Sequence, residues 1–183
     1  MKHISIILLA WISIYYQAGQ DLYTCKNARI NLYSKAPIED IEGTSTSGTS
    51  VYDPVSGELV FSVAIRSFHF NKSKMEEHFN ENYLESDKYP RAIFKGKVKE
   101  HIDVSQNGTF PVTVTGDLDV HGVKQPRTVS GSMAINNGVI TMSSEFMVKC
   151  VDHNIPIPKI VFHNIAETIR IRVSATYSVN KNR

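Results

Sequence analysis

Two cysteines, one tryptophan and almost no charge imbalance are what this 183-residue chain has little of. Two cysteines permit one bridge at most and exclude a disulfide-dense scaffold. A net charge of +2 gives no basic face, so nucleic acid is not an expected partner. Past the N-terminus no apolar run approaches the ~18 residues that a membrane-spanning helix needs. The G-x-S-x-G elbow, the H-E-x-x-H pair, the C-x-x-C pair and the phosphate-cradling glycine loop are all missing. What is present is the length of one domain. With 42% hydrophobic and 21% charged residues, wholesale disorder is excluded.

The first residues read as a targeting segment. Lys2 precedes the apolar run Ile4–Ile14, and small residues follow at Ala18 and Gly19. Eleven residues at ~1.5 Å each cover only about half of a ~30 Å hydrocarbon core, which suits a secretory signal better than an anchor. The expected division is a signal peptide over 1–19 and one domain over 20–183.

Period-two alternation dominates the remainder. Leu59, Phe61, Val63 and Ile65 share one face. So do Val112, Val114, Leu118 and Val120, then Ile140, Met142, Phe146 and Val148, then the odd-numbered residues from Ile169 to Val179. Ala28, Ile30 and Leu32 form a first such face, and Ala92, Phe94 and Val98 another, opposed by Arg91, Lys95, Lys97 and Lys99. One apolar and one solvated face per segment is the signature of antiparallel strands. Asp53–Gly57, Gln106–Gly108 and Asn136–Gly138 supply turns, the last suited to a type I′ hairpin. Gly43–Ser50 reads as a small-residue strand or loop. About eight strands in sequential hairpins predict an up-and-down closed sheet, with a sandwich as the alternative.

One segment, Asn71–Leu84, has helical spacing instead, with Met75, Phe79 and Tyr83 at i, i+4 and i+8. Ser73 and Glu76 are placed for a capping box. A helix there buries its stripe across a barrel end, entered from Phe68 and Phe70, and serves as a lid.

Chemistry-bearing patterns are sparse. Asp117-Leu-Asp119-Val-His121-Gly122 imitates the start of a calcium loop, but His121 and Thr128 occupy ligand positions, and the flanking alternation says strand. No H-x-H or H-x3-H pair supports zinc, and no metal site is expected. An enzyme would use His78 or His121 with Glu77, Glu81 or Asp119. Cys25 and Cys150 either bridge or stand as free thiols. Strand parity puts Cys150 on the apolar face and Cys25 on the polar one, which weighs against pairing. Asn71-Lys-Ser73 and Asn107-Gly-Thr109 match the N-glycosylation sequon, silent in a bacterial host.

Three further elements occur in order along the chain. A helical stretch ends in Tyr89-Pro90, with Phe94 in the strand that follows. Gly116-x-Leu118-x-x-His121-Gly122-Val123-x-x-Pro126 comes next, and Asp152-x-x-Ile155-x-x-Pro158 precedes the last strand. Together they resemble the YceI-like family. The resemblance implies an all-β, eight-stranded antiparallel, lipocalin-like barrel with a short helical insert. It implies a periplasmic or secreted location. It also implies non-catalytic binding of a long isoprenoid lipid, a polyprenyl chain or an isoprenoid quinone, with no other cofactor and with transient membrane contact as a further partnership. The residues expected against that lipid are Phe61, Val63, Phe68, Phe70, Met75, Phe79, Phe94, Val114, Leu118, Met133, Met142 and Phe146. The alternative is that they fill a dry core, in a barrel used for protein interaction.

Overall fold

Consecutive hairpins carry this chain once around a ring. The computed structural model describes residues 21–35, 40–157 and 167–180. The expected leader, 1–19, and Pro158 lie outside the described residues. The strands are β1 Leu22–Ser34, β2 Ile41–Tyr52, β3 Glu58–Ala64, β4 His69–Phe70, β5 Arg91–Val98, β6 Gly108–Val120, β7 Val123–Asn136, β8 Val139–Lys149 and β9 Thr168–Asn180. Helix α1 spans Ser73–His78 and continues as one wider π-type turn over Phe79–Tyr83.

All pairings are antiparallel. β1 meets both β2 and β9, which closes an eight-stranded barrel and leaves the two-residue β4 as an extra pairing on β2. Closure removes the exposed edges that an open sheet of this size would have to protect. The barrel therefore has two distinct ends. One carries the β2–β3 and β7–β8 turns. The other, called the mouth here, carries α1 and the β6–β7 turn.

The Asn137-Gly138 turn has both residues at positive φ, the type I′ geometry read from the sequence. The Gly43–Ser50 stretch is strand, part of β2. Its small residues have a packing cause: a Cβ on Gly43 would stand 2.6 Å from the Phe70 ring and 2.8 Å from Leu32 Cδ1. The expected capping box does not form. Lys72 occupies the cap position with no capping bond from its side chain, and the Glu76 carboxylate accepts the Phe70 N–H at 3.2 Å instead.

Cys25 also departs from its expected face. β1 and β2 each carry one extra residue between Cys25 and Ile30, so the ladder shifts register twice. The bulge flips the alternation, and Cys25 turns inward along with Ala28. Both cysteines are free and buried. Thr24, the neighbour of Cys25, pairs with Ser178 near one end of β9, and the Cys150 N–H donates to the Glu167 carbonyl at the other. At ~3.3 Å per strand residue they are roughly 35 Å apart, against the ~7 Å that limits a bridge.

Candidate functional site

The barrel interior divides in two. Away from the mouth, Tyr23, Tyr52, Ile102, Met133, Ile135, Ile140 and Tyr177 interlock into a closed plug. Ser50 ties that plug together: its hydroxyl donates to the Val60 carbonyl and accepts from the Tyr177 hydroxyl, each at 2.8 Å. Burial raises the Tyr177 phenol above its ordinary pKa despite that bond.

Toward the mouth the inward residues no longer meet, and they enclose a cavity of about 500 Å³. An eight-stranded barrel is just wide enough for this, and the volume is within the usual range for small-molecule sites. β3 contributes Phe61 and Val63, β5 contributes Phe94, β6 Val114 and Leu118, and β8 Met142 and Phe146. Phe68 and Phe70 enter from the rim before α1, while Met75 and Phe79 come from α1 and the turn after it. Phe79 is the centre of an aromatic cluster, with its ring 5.5 Å from Phe68 and 4.9 Å from Phe70. Tyr83, the third residue of the expected stripe, lines the cavity as well.

Met133 is the exception among the sequence-derived residues. It lies in the plug at 0% exposure and does not border the cavity. Its alternation is right, but its side chain is packed among its buried neighbours, which parity does not encode. The filled-core alternative thus describes the plug and not the mouth half.

Several lining residues were not among those expected against the lipid. Leu84 follows the π-type turn, whose Leu84 N–H to Phe79 carbonyl bond of 3.0 Å shifts the helical phase. Ile155 and Ile157 come from an irregular segment after β8. Cys150 lines the cavity too, and burial pushes its thiol up to about 11.

The histidine pairings expected of an enzyme do not form. His78 borders the cavity, with no side-chain partner among the described residues. His121 is buried outside the lining, and its carboxylate partner is Glu85, not Glu77, Glu81 or Asp119. No group of three or more metal-ligating side chains converges among the described residues.

His121 has a structural role instead. It is the first residue of a two-residue type I′ turn, at φ 54 with Gly122 at φ 72. Nδ1 lies 3.2 Å from the His153 carbonyl, and the ring meets Tyr89 edge-on at 4.5 Å. A Cβ on Gly122 would come within 2.5 Å of Tyr89. Gln125 Nε2 donates to the Asp152 carbonyl at 2.9 Å, and Arg127 pairs with the Asp152 carboxylate at 2.9 Å. The Tyr-Pro, His-Gly-Val and Asp-x-x-Ile elements, distant in sequence, therefore meet at one junction beside the mouth. Glu85 and Asn154 there also hold positive φ, a strained setting for glutamate.

A family model, the YceI-like domain, matches residues 24–177. No curated protein matches the chain. Among solved structures, a polyisoprenoid binding domain from Saccharophagus degradans superposes with a TM-score of 0.74 at 13% identity, covering 87% of this chain and 98% of that one. BcnA of Burkholderia cenocepacia gives a TM-score of 0.67 at 18% identity, covering 81% and 95%. The YCEI protein of Campylobacter jejuni gives 0.61 at 18%, covering 81% and 90%. At these identities the likeness is one of fold.

Proposed function

The chain belongs to the YceI-like domain family, and on that premise we propose that it is a non-catalytic carrier holding a long isoprenoid lipid inside its barrel. The carrying observation is the cavity of about 500 Å³ walled by apolar residues from all eight barrel strands and the α1 segment. A polyprenyl chain or the tail of an isoprenoid quinone suits that chemistry. Each buried CH₂-sized group contributes roughly 0.8 kcal/mol, less the cost of ordering the tail. Phenylalanine supplies much of the wall, and Met75 and Met142 adapt to methyl-branched shapes. The one structure above described as a polyisoprenoid binding domain has the same fold, which supports the reading.

Export belongs to the same proposal. It rests on Lys2, the apolar run Ile4–Ile14 and the small residues at Ala18 and Gly19. N-terminal sequencing of protein recovered from the expressing host is expected to begin near residue 20. An intact Met1 in the folded protein would overturn export.

Native mass spectrometry followed by lipid extraction tests the binding function. The expected result is a co-purifying lipid, or stoichiometric uptake of added isoprenoid quinone or polyprenol. An empty barrel that takes up neither would sink the carrier reading.

A further inference from the structure

The large apolar side chains left in solvent fall into two groups. Val51, Val55, Val60 and Val139 lie at the end away from the mouth, where the buried plug separates them from the cavity. Met147 and Val151 lie at the mouth, 48% and 73% exposed. Met147 points outward from β8 beyond Gly131↔Ser144, where the ladder with β7 ends, so its ladder neighbour is Arg170 of β9. Val151 belongs to the 3₁₀ turn Cys150–His153. That turn is fixed in place. His153 is fully buried with Nδ1 3.0 Å from the Val123 carbonyl, and the Ile155 N–H donates to the Cys150 carbonyl at 3.0 Å. The exposure of Val151 is therefore imposed by an anchored segment.

The same short stretch walls the cavity. Cys150, Ile155 and Ile157 line it, whereas Val151 and Pro156 are exposed. This part of the rim is apolar toward the chamber and apolar toward solvent. The helical insert does the reverse, lining the cavity with Met75 and Phe79 and exposing Lys74, Glu77 and Glu81. Charge beside the apolar rim is close to balance. Arg127 pairs with Asp152, Lys124 opposes Asp119 across the β6–β7 ladder, and Lys149 opposes Thr168, the neighbour of Glu167, across the β8–β9 ladder.

We propose that Met147, Val151 and Pro156 form the edge by which the barrel docks on a lipid bilayer, tilted so that the charged face of the helical insert stays in water. An isoprenoid chain resides in the bilayer, because each CH₂-sized group costs roughly 0.8 kcal/mol to bring into water. A barrel that carries one is loaded at a membrane surface. Exposed apolar side chains on the cavity wall's own rim put that contact beside the chamber. Lys74, Glu77 and Glu81 would lose hydration in the same place. Three modest side chains make the contact shallow and reversible. Balanced charge makes it insensitive to salt. Docking here presupposes the carrier reading above and adds the face that meets the membrane.

Co-flotation of the purified protein with vesicles of phosphatidylcholine and phosphatidylglycerol tests the docking edge. Val151→Asp is expected to lower partitioning about tenfold, ~1.4 kcal/mol. Met147→Gln should lower it as well, and Lys74→Ala should not. Molar salt should leave partitioning in place. A polarity-sensitive dye on Val151→Cys should shift to the blue when vesicles are added, and one on Lys74→Cys should not. Uptake of geranylgeraniol from detergent solution should be equal in Val151→Asp and the unaltered protein, which also shows that the variant folds. A blue shift at Lys74 alone would turn the helical insert to the membrane and overturn the docking edge. Unchanged partitioning in Val151→Asp and Met147→Gln, or none in the unaltered protein, removes the edge and keeps the carrier if geranylgeraniol still binds. Loss of partitioning in molar salt would put headgroup attraction in place of apolar docking. Self-association that Val151→Asp abolishes would make the rim an interface between two copies instead. Partitioning without geranylgeraniol uptake removes the carrier reading alone.

Discussion

His121 Nε2 stands 2.7 Å from the Glu85 carboxylate, a contact joining the β6–β7 turn to the end of the helical insert. With the His153 carbonyl on its other nitrogen, the ring links three chain segments. His121→Asn tests that link, because asparagine tolerates the positive φ of the turn. Loss of the buried hydrogen bonds is expected to cost about 1–3 kcal/mol, read as a lower urea midpoint at unchanged m. An unchanged midpoint would mean that the junction holds without the imidazole. His121→Ala should cost more, since it adds backbone strain to the same loss.

Phe79 and Lys74 differ in what they cover. Phe79 is half-buried over the cavity against Phe68 and Phe70, whereas Lys74 faces solvent. Phe79→Ala should speed lipid release more than Lys74→Ala does. Its stability cost should fall below the ~3–5 kcal/mol of a fully buried phenylalanine. Off-rates compared at matched folded fraction check this, and equal rates would leave Phe79 as a packing residue only.

Met133 and Met142 sit opposite each other across the β7–β8 ladder, yet only Met142 borders the cavity. Met133→Ala should cost about 2–5 kcal/mol with little change in lipid affinity per folded molecule. Met142→Ala should weaken lipid binding. Paired denaturation and binding titrations separate the two effects, and a reversal would move the boundary between plug and cavity.

Both thiols should resist labelling in the native state. Cys25 and Cys150 are buried, and the Cys150 thiol, held up at about 11 by burial, carries little thiolate near neutral pH. A thiol reagent at pH 8 should count two groups in urea without reductant and far fewer before unfolding. A count near zero in urea would reveal a bridge. The linkage sign follows from a folded value above the unfolded ~8.5. The neutral thiol's contribution is complete below about pH 8.5 and is lost as pH rises through 11. Replacing Cys150 with Ala should therefore flatten the alkaline loss of stability.

Sequence alone determined most of the barrel's strands, because a period of two with one apolar face survives any tertiary context that buries that face. Leu59 to Ile65 and Ile169 to Val179 were legible for that reason. So was the Met75–Phe79–Tyr83 stripe, whose spacing fixes a face. Three features were decided only by the fold. Paired bulges in β1 and β2 turned Cys25 inward, since one extra residue reverses parity without changing composition. Packing around each side chain put Met133 in the plug and its ladder partner Met142 on the cavity wall, since alternation gives a face and not what stands opposite it. β7 escaped notice because its mouth half points Gln125 and Arg127 inward, toward the turn that carries Asp152. Polar residues on the inner face make sense only once that turn closes over them. The same holds for Tyr89, His121 and His153: the chain spells their motifs, and only closure of the barrel brings the three onto one another.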